Sequence, residues 1–401
     1  MFKIPNRLEA ISDRVAEYSL YIMVFFIPIS IAALESFFGL ALVSFAFKKA
    51  IRPDFSFLKS RTHLFLLLFF LFNAVSALLS GPFFAKSLEA LIFKWTEYIL
   101  IFLIAEDTLC NRQRIRNFAV IFLFSAFLIG IDGIFQRFSG MDFLRHRVLF
   151  VIEGKLPSIS ASFSHYNSLG AYLTVALPLA VSLMFYSGLK RIFKSGLIIE
   201  TALLGTCLLM TSSRGSWLGF TSALFFMLFL RSNGRRLLVL FAIFVAAITL
   251  IQGLRERAIL TFQPRGDADR LIMWETALRI IKGTPFFGKG VGTFMDYFHK
   301  YTPELYVQYA HNCFLQLWAE TGIFGLLSFL LFIGSILTKS AKLAMRTGDA
   351  LLLGVAGGIF GFLAHSFFDT NLYGVQLSVL FWMTAGIAMS IVNLHQKPPA
   401  R

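Results

Sequence analysis

The chain has 401 residues, of which 57% are hydrophobic and only 15% charged, whereas a soluble globular domain carries about half and about a quarter. Together with 48 phenylalanines, this composition excludes an ordinary soluble domain and describes an integral membrane protein. The net charge of +15 does not point to nucleic acid, because the basic residues form short clusters between apolar runs rather than a basic groove with interleaved aromatics.

The amino terminus places Lys3, Arg7 and Arg14 ahead of an apolar run that begins near Tyr18. A cleavable signal peptide is the alternative, but no small-residue cleavage site follows, and the run reads as a first membrane span. Candidate spans then stand near 17–33, 62–79, 87–105, 117–135, 168–187, 195–212, 215–230, 237–252, 313–337, 349–367 and 373–393. A shorter run near 36–47 makes twelve.

Counting that run puts every short basic loop on one side. The clusters are Lys48/Lys49/Arg52/Lys59/Arg61, Arg112/Arg114/Arg116, Lys190/Arg191/Lys194, Arg231/Arg235/Arg236, Lys339/Lys342/Arg346 and the tail Lys397/Arg401. Loops rich in lysine and arginine stay in the cytoplasm, so both termini are expected there. The whole chain, 1–401, reads as a single polytopic domain. Cys110, Cys207 and Cys313 fit no metal or redox spacing.

Two long segments, about 136–167 and 253–312, fall on the outer side. The first leads into "SFSHYNSLGAY" (Ser162 to Tyr172), where His165 and Asn167 are either structural or in contact with substrate. "TSSRGSWLGF" (Thr211 to Phe220) sets Arg214 in a tight outer turn, against the charge bias, beside Ser212, Ser213 and Gly215. A guanidinium fork there suits phosphate oxygens, and simple anchoring is the competing reading.

Within the outer loop 253–312, "DADRLIMWETALRIIKGTPFFGKGVGTF" (Asp267 to Phe294) predicts a helix followed by a turn. Asp269 is a candidate N-cap or first-turn acid, and Gly283 and Pro285 end the helix. Glu275, Arg279 and Lys282 share one face, while Met273, Trp274, Ala277, Leu278 and Ile281 share the other. An amphipathic helix lying on the outer membrane surface has this pattern. Arg270 falls inside the apolar arc: either it snorkels from a frayed first turn, or it points at a bound anion. The glycines of "GKGVG" (288–292) lack the strand and the Lys-Ser/Thr of a nucleotide loop and read as a turn, with a backbone nest for phosphate as the alternative.

The next stretch, "YAHNCFLQLWAETGIFG" (Tyr309 to Gly325), carries Asn312, Gln316 and Glu320 along one side of a span, with His311 at its outer mouth. A polar seam between helices accounts for the first three. A histidine at a wet entrance is placed to exchange protons with a hydroxyl. Asp369 and Asn371 in "AHSFFDTNLYG" complete the polar groups of this side, as structural or substrate-contacting residues. No Asp/Glu/His set has metal-ligand spacing, and the loop after the first span holds only Glu35.

These motifs resemble the O-antigen ligase and polymerase superfamily of bacterial inner membranes. "SSRGSWLGF", "DRLIMWETALRIIKGTPFFGKGVGTF" and "AHNCFLQLWAETGIFG" carry the resemblance, supported by "SHYNSLGAYL" and the layout of spans. It implies a glycosyltransferase-C type fold, all-α with about twelve transmembrane helices, and transfer of a glycan from undecaprenyl diphosphate at the periplasmic face without nucleotide, metal or other cofactor. Carried over by motif, Arg214 and Arg270 hold the diphosphate and His311 activates or orients the acceptor, with His165, Asn167, Asn312 and Ser213 as further substrate-binding candidates. The related protein O-oligosaccharyltransferases carry an added C-terminal periplasmic region, which is not seen after the last apolar run.

The basic outer residues Arg137, Arg145, Arg147, Lys155, Arg255 and Arg257 favour a ligase with lipid A–core as acceptor. The alternative is a polymerase that uses a second lipid-linked repeat. A flippase or transporter is disfavoured, because transporter sites lie near the midplane and these residues gather at the outer ends of spans.

Overall fold

The computed structural model describes residues 3–152, 156–230, 234–259, 268–302 and 309–396. Lys155, Arg231, Asp267, Lys397 and Arg401, with the side chains of Lys3 and Asp269, lie outside the described residues.

Each of the twelve apolar runs is helical. In chain order the helices are α1 (Lys3–Phe26), α2 (Ile31–Ile51), α3 (Arg61–Leu78), α4 (Phe84–Ala90), α5 (Thr96–Thr108), α6 (Arg112–Ser139), α7 (Tyr166–Met184), α8 (Arg191–Met210) and α9 (Arg214–Leu230). They continue as α10 (Arg235–Leu250), α11 (Gln252–Ile259), α12 (Ala268–Gly283), α13 (Phe294–Tyr301), α14 (Cys313–Thr347), α15 (Ala350–His365) and α16 (Val375–Gln396). A π-turn over Leu91–Trp95 joins α4 to α5. Among the described residues two strands, β1 (Phe150–Ile152) and β2 (Leu156–Ser158), pair antiparallel.

The architecture is that of an all-α integral membrane protein. Seven of the helices (α2, α3, α6, α7, α8, α14 and α16) are long and apolar enough to cross a membrane, and α10 with α11, bent by 90°, makes an eighth. Helices of that length and apolarity are thus fewer than the twelve runs expected to span. Helices α9 and α15 have 17 and 16 residues, and at 1.5 Å per residue reach only about 25 Å, short of a hydrocarbon core of about 30 Å.

Helices α7 and α16 are almost wholly buried, whereas α8 and α2 lie at the periphery. The centre is aromatic: Trp382 stacks on Phe332 at 5.4 Å, and Phe69 meets Trp95 edge-on at 5.3 Å. Glycines set the crossing of α9 and α15. A Cβ on Gly219 would stand 2.7 Å from the carbonyl oxygen of Gly361, and one on Gly361 2.8 Å from that of Gly219. Helices in lipid gain by such close approach, because packing rather than water drives their association.

The segment 284–293 is docked on the bundle. Gly322 interrupts α14 with φ 72° and ψ 179°, and the segment 284–293 fills the gap. Lys289 N–H donates to Ala319 O, Gly290 N–H to Glu320 O and Ile323 N–H to Pro285 O, at 2.8–3.0 Å. Buried Glu320 accepts from Gly292 N–H at 3.0 Å, from Gln316 Nε2 at 3.3 Å and from the Tyr373 hydroxyl at 3.3 Å. The polar seam therefore clasps the GKGVG turn.

Helix α12 does not simply lie on a membrane. Met273, Ala277, Ile280 and Ile281 are buried in a cluster with Phe294 and Phe298 of α13 and Ala319 of α14. Leu278, expected on that face, is 44% exposed, and Ile280, not expected there, is fully buried. Protein covers much of this helix's apolar side. Glu275 and Arg279 pair at 2.7 Å on the exposed face.

Candidate active site

Several helix ends meet at one end of the bundle. Helices α7, α9 and α14 begin there and α15 ends there. Helix α12 brings its first turn to the same place. A helix N-terminus carries unpaired N–H groups and a partial positive charge, so this end favours anions before any side chain is added.

His311 precedes α14 in a left-handed conformation, φ 47°. A non-glycine residue there is strained by about 1–3 kcal/mol. The chain around it is held from several sides. Asn312 Oδ1 caps α14 by accepting from Phe314 N–H (2.9 Å) and Leu315 N–H (3.0 Å). Cys313 N–H donates to Ser366 O at 2.9 Å, and its thiol to Asp369 O at 3.3 Å. The loop after α15 is thus latched to the start of α14.

That latch puts Asp369 beside His311. His311 Nδ1 is 3.2 Å from Asp369 Oδ1, with the histidine side chain 34% exposed and the aspartate 15%. Thr370 N–H also donates to Asp369 Oδ1, at 2.8 Å. Burial acts to raise the Asp369 carboxyl. The His311 hydrogen bond, the neighbouring His365 and His311 charges and the Thr370 N–H outweigh it and hold the group at about 2. Asp369 is a fixed negative charge that can orient the imidazole.

The arginines close around this pair. Arg214 opens α9 two residues after Ser212, itself left-handed at φ 53°. Arg257 of α11 donates from Nε to Ser212 O at 3.3 Å. The charges of Arg257, Arg270, Asp369 and Arg214 all act on the Tyr166 hydroxyl at the start of α7, which places them around one spot. His165, its neighbour, lies within reach of Asp369, His311 and Arg270. Burial, together with His311 and Arg270, holds the His165 imidazole below its ordinary value against the pull of Asp369. Its Nδ1 accepts from Asn167 N–H at 3.2 Å and so caps α7. His165 also packs edge-on against Phe150 of the hairpin at 5.3 Å.

The structure therefore gathers His311, Arg214, Arg270 and His165, which the sequence had singled out at four separate places. Ser213 is buried, with Oγ accepting from Ser216 N–H at 3.4 Å, and it shapes the turn before Arg214. Asn167 is buried in the first turn of α7. The carboxamide oxygen of Asn312 is committed to its cap. Asn371 contacts His365 Nδ1 at 3.3 Å rather than the site itself. Sequence reasoning undervalued Asp369, counted Arg257 only as a basic loop residue, and did not single out Tyr166. Arg257 had a weak signal, being basic on the outer side. Tyr166 had none beyond its place beside His165.

Gly215 explains how α15 comes so near. A Cβ there would stand 2.7 Å from His365 Cδ2 and 3.3 Å from Phe368 Cβ. Among the described residues, no group of three His, Cys, Asp or Glu could hold a metal ion.

The fold is that of a multi-pass helical membrane protein, with several arginines near one half-buried histidine at this end of the bundle. Residues 199–330, about a third of the chain, match the family model described as O-Antigen ligase. The matched segment contains Arg214, Arg257, Arg270 and His311, while His165, Tyr166 and Asp369 lie outside it. An uncharacterized protein of Haemophilus influenzae is 25% identical over 240 residues, which cover 52% of this chain and 56% of the relative. The chain thus spans about half the length of the curated relative it matches.

Proposed function

We propose that the protein is an inner-membrane O-antigen ligase of glycosyltransferase-C type, with both termini cytoplasmic. It transfers a glycan from undecaprenyl diphosphate to a lipid A–core hydroxyl at the periplasmic face, with inversion and without metal or nucleotide. The observation that carries the reading is that Arg214, Arg257, Arg270 and Asp369 all act on the Tyr166 hydroxyl, with His311 paired to that same Asp369, within and beside the segment that matches the family model.

The chemistry follows from that arrangement. With Nδ1–H donated to Asp369, neutral His311 presents Nε2 as a base. Nε2 takes the proton of the acceptor hydroxyl as its oxygen attacks the anomeric carbon. The bond from that carbon to the diphosphate oxygen breaks, and its electron pair leaves with the lipid diphosphate. Negative charge grows on that leaving group, where fixed guanidinium groups and helix N-termini stabilise it more than they stabilise the ground state. The left-handed backbone at Ser212 and His311 holds these groups in place before substrate arrives.

The same site can serve a polymerase, with a second lipid-linked repeat as acceptor. The test is transfer in liposomes containing the purified protein, undecaprenyl diphosphate-linked glycan and lipid A–core. Capping of lipid A by wild type, lost in His311→Ala and Arg270→Ala, supports the ligase. Elongation on the lipid carrier without capping replaces it with the polymerase. Full activity of His311→Ala removes that residue from catalysis.

A further inference from the structure

Helix α14 begins at the candidate active site and ends at Thr347, at the opposite end of the bundle. Its last turns carry Lys339, Lys342 and Arg346, at spacings of three and four residues that put all three on one face. Together with His395 and Gln396 at the end of α16, these cations line a cavity of about 230 Å³. Among the described residues no carboxylate lines it. The carboxyl end of a helix favours cations through its dipole, and basic loops share one side of a membrane. Neither rule puts three of them on one face around a cavity, where like charges a turn apart repel.

The charges around the cavity do not cancel. Lys339 is half-buried, and its Nζ donates to Thr62 Oγ1 at 2.7 Å, a neutral partner. A partly desolvated ammonium so placed still needs a counter-charge. Glu106 acts on Lys339, but its carboxylate is held by His63 Nε2 and Asn393 Nδ2, each at 2.7 Å. Among the described residues neither Lys342 nor Arg346 forms an ion pair. Behind the wall, Arg112 donates to His395 Nε2 at 2.7 Å and to the Asp349 carboxylate. Asp349 is thereby neutralised, and its Oδ1 caps α15 by accepting from Leu351 and Leu352 N–H at 3.1 Å. The three cations of α14 are left facing the cavity with no acid committed to them.

We propose that this pocket binds one phosphate group, with its oxygens held by Lys339, Lys342 and Arg346. Charge complementarity selects the occupant. A phosphate offers several acceptor oxygens to cations on successive turns, and a guanidinium fork matches two of them. The cavity is smaller than the roughly 300–1,000 Å³ of a drug-sized site, so it takes a phosphate head rather than a whole nucleotide. Basic pockets between membrane helices recognise anionic lipid head groups, and a soluble phosphate presents the same oxygens. The site is separate from the glycan-transfer site and does not rest on that reading.

The test uses the full-length protein, purified in mild detergent and stripped of lipid. Native mass spectrometry counts retained dioleoyl phosphatidylglycerol against dioleoyl phosphatidylcholine, and thermal unfolding compares inorganic phosphate with acetate at equal ionic strength. One phosphatidylglycerol retained in preference to phosphatidylcholine supports the site and assigns it to a lipid head group. Stabilisation by inorganic phosphate beyond that by acetate supports it and assigns it to a soluble phosphate. In the arm that responds, Lys342→Gln and Arg346→Gln should each weaken binding about fivefold, and the two together about twenty-five-fold. Both side chains are exposed, so the unfolding temperature without ligand should stay at the wild-type value. Arg191→Gln, at the same end of the bundle but outside the pocket, should leave binding unchanged. No response in either arm, or an equal loss in Arg191→Gln, overturns the proposal.

Discussion

His311 Nδ1 and Asp369 Oδ1 stand 3.2 Å apart although 58 residues separate them in the chain. The contact exists because α15 returns its C-terminal end to the point where α14 begins, and Cys313 latches the two. In the proposed reaction Asp369 acts through the histidine, as a positioning residue. Asp369→Asn is expected to lower kcat by about 10²-fold, within the range of a lost acid–base contribution, with little change in KM for the glycan donor. The double variant with His311→Ala should be no worse than His311→Ala alone, because the two residues act as one unit. Initial rates in proteoliposomes decide this, and independent, multiplying losses would contradict it.

Arg257 provides a sharper test than Arg214 or Arg270, because the sequence did not single it out for the site. Removing one fixed donor aimed at developing negative charge costs about 10²–10³ in rate, and Arg257→Ala is expected at or somewhat below that range. Lysine at 214 or 270 should restore only part of the activity, since an ammonium cannot reproduce a planar fork. The measurement is kcat and donor KM for each variant. An Arg257→Ala enzyme with wild-type constants would leave that side chain a purely structural tie to Ser212.

His165 makes stability depend on pH. Its folded-state pKa is held below the ordinary histidine value, chiefly by burial, so in the unfolded chain it binds a proton more readily. Stability is therefore full above about pH 6.5 and falls as the pH drops below it. Protonation would also remove the Nδ1 acceptor that caps α7. His165→Asn, which can cap but does not titrate, should flatten this part of the profile. Thermal unfolding in detergent between pH 5 and 8 tests the sign.

The clamp between the GKGVG turn and α14 predicts losses of stability. Gly322 has φ 72°, and a Cβ there would stand 2.0 Å from Phe286 O; at Gly288, φ 72°, it would stand 2.2 Å from Glu320 O. Alanine at either position should destabilise by more than about 3 kcal/mol, since a backbone contact must break as well as a strained φ be adopted. Glu320→Ala leaves the Gly292 N–H and the Tyr373 hydroxyl without their acceptor and should cost about 2–4 kcal/mol. Denaturant unfolding followed by tryptophan fluorescence measures both. A Glu320→Ala protein of normal stability and no activity would move Glu320 from packing into the chemistry.

The site was partly legible in the sequence because membrane depth makes polar residues conspicuous. Arg214 stood against the charge bias, Arg270 stood inside an apolar arc, and His311 opened an apolar run, so each violated a local rule. Asp369 broke no rule in its own loop. Arg257 was one of several basic residues in a long segment, and Tyr166 is an ordinary helix-start residue. Nothing in the local pattern could say that these three face the others.

The reading of α12 failed in part for the same reason. Its charged face was correct, with Glu275 and Arg279 paired and exposed. Periodicity cannot distinguish a face turned to lipid from one turned to protein, since both are apolar. Twelve runs read as spans while seven or eight helices among the described residues pass on length and composition, because hydropathy marks an apolar run without fixing the length of regular helix within it. Short helices such as α9 and α15 packed inside a bundle carry the same signal as spanning ones.

What the sequence determined by itself is the lipid-adapted, helical nature of the chain, the positions of its apolar runs and the unusual placement of a few polar groups. Those are properties of segments, governed by local hydrophobicity and charge. The tertiary structure alone decided which segments meet. Glycines at 215, 219 and 361 let α9 and α15 close to backbone distance, the Gly322 break lets the segment 284–293 dock, and Cys313 ties two distant helix ends. These contacts turn a histidine, an aspartate and three arginines from separate loops and helix ends into one charged site. A convergence of that kind depends on long-range packing, which no local window of the chain encodes.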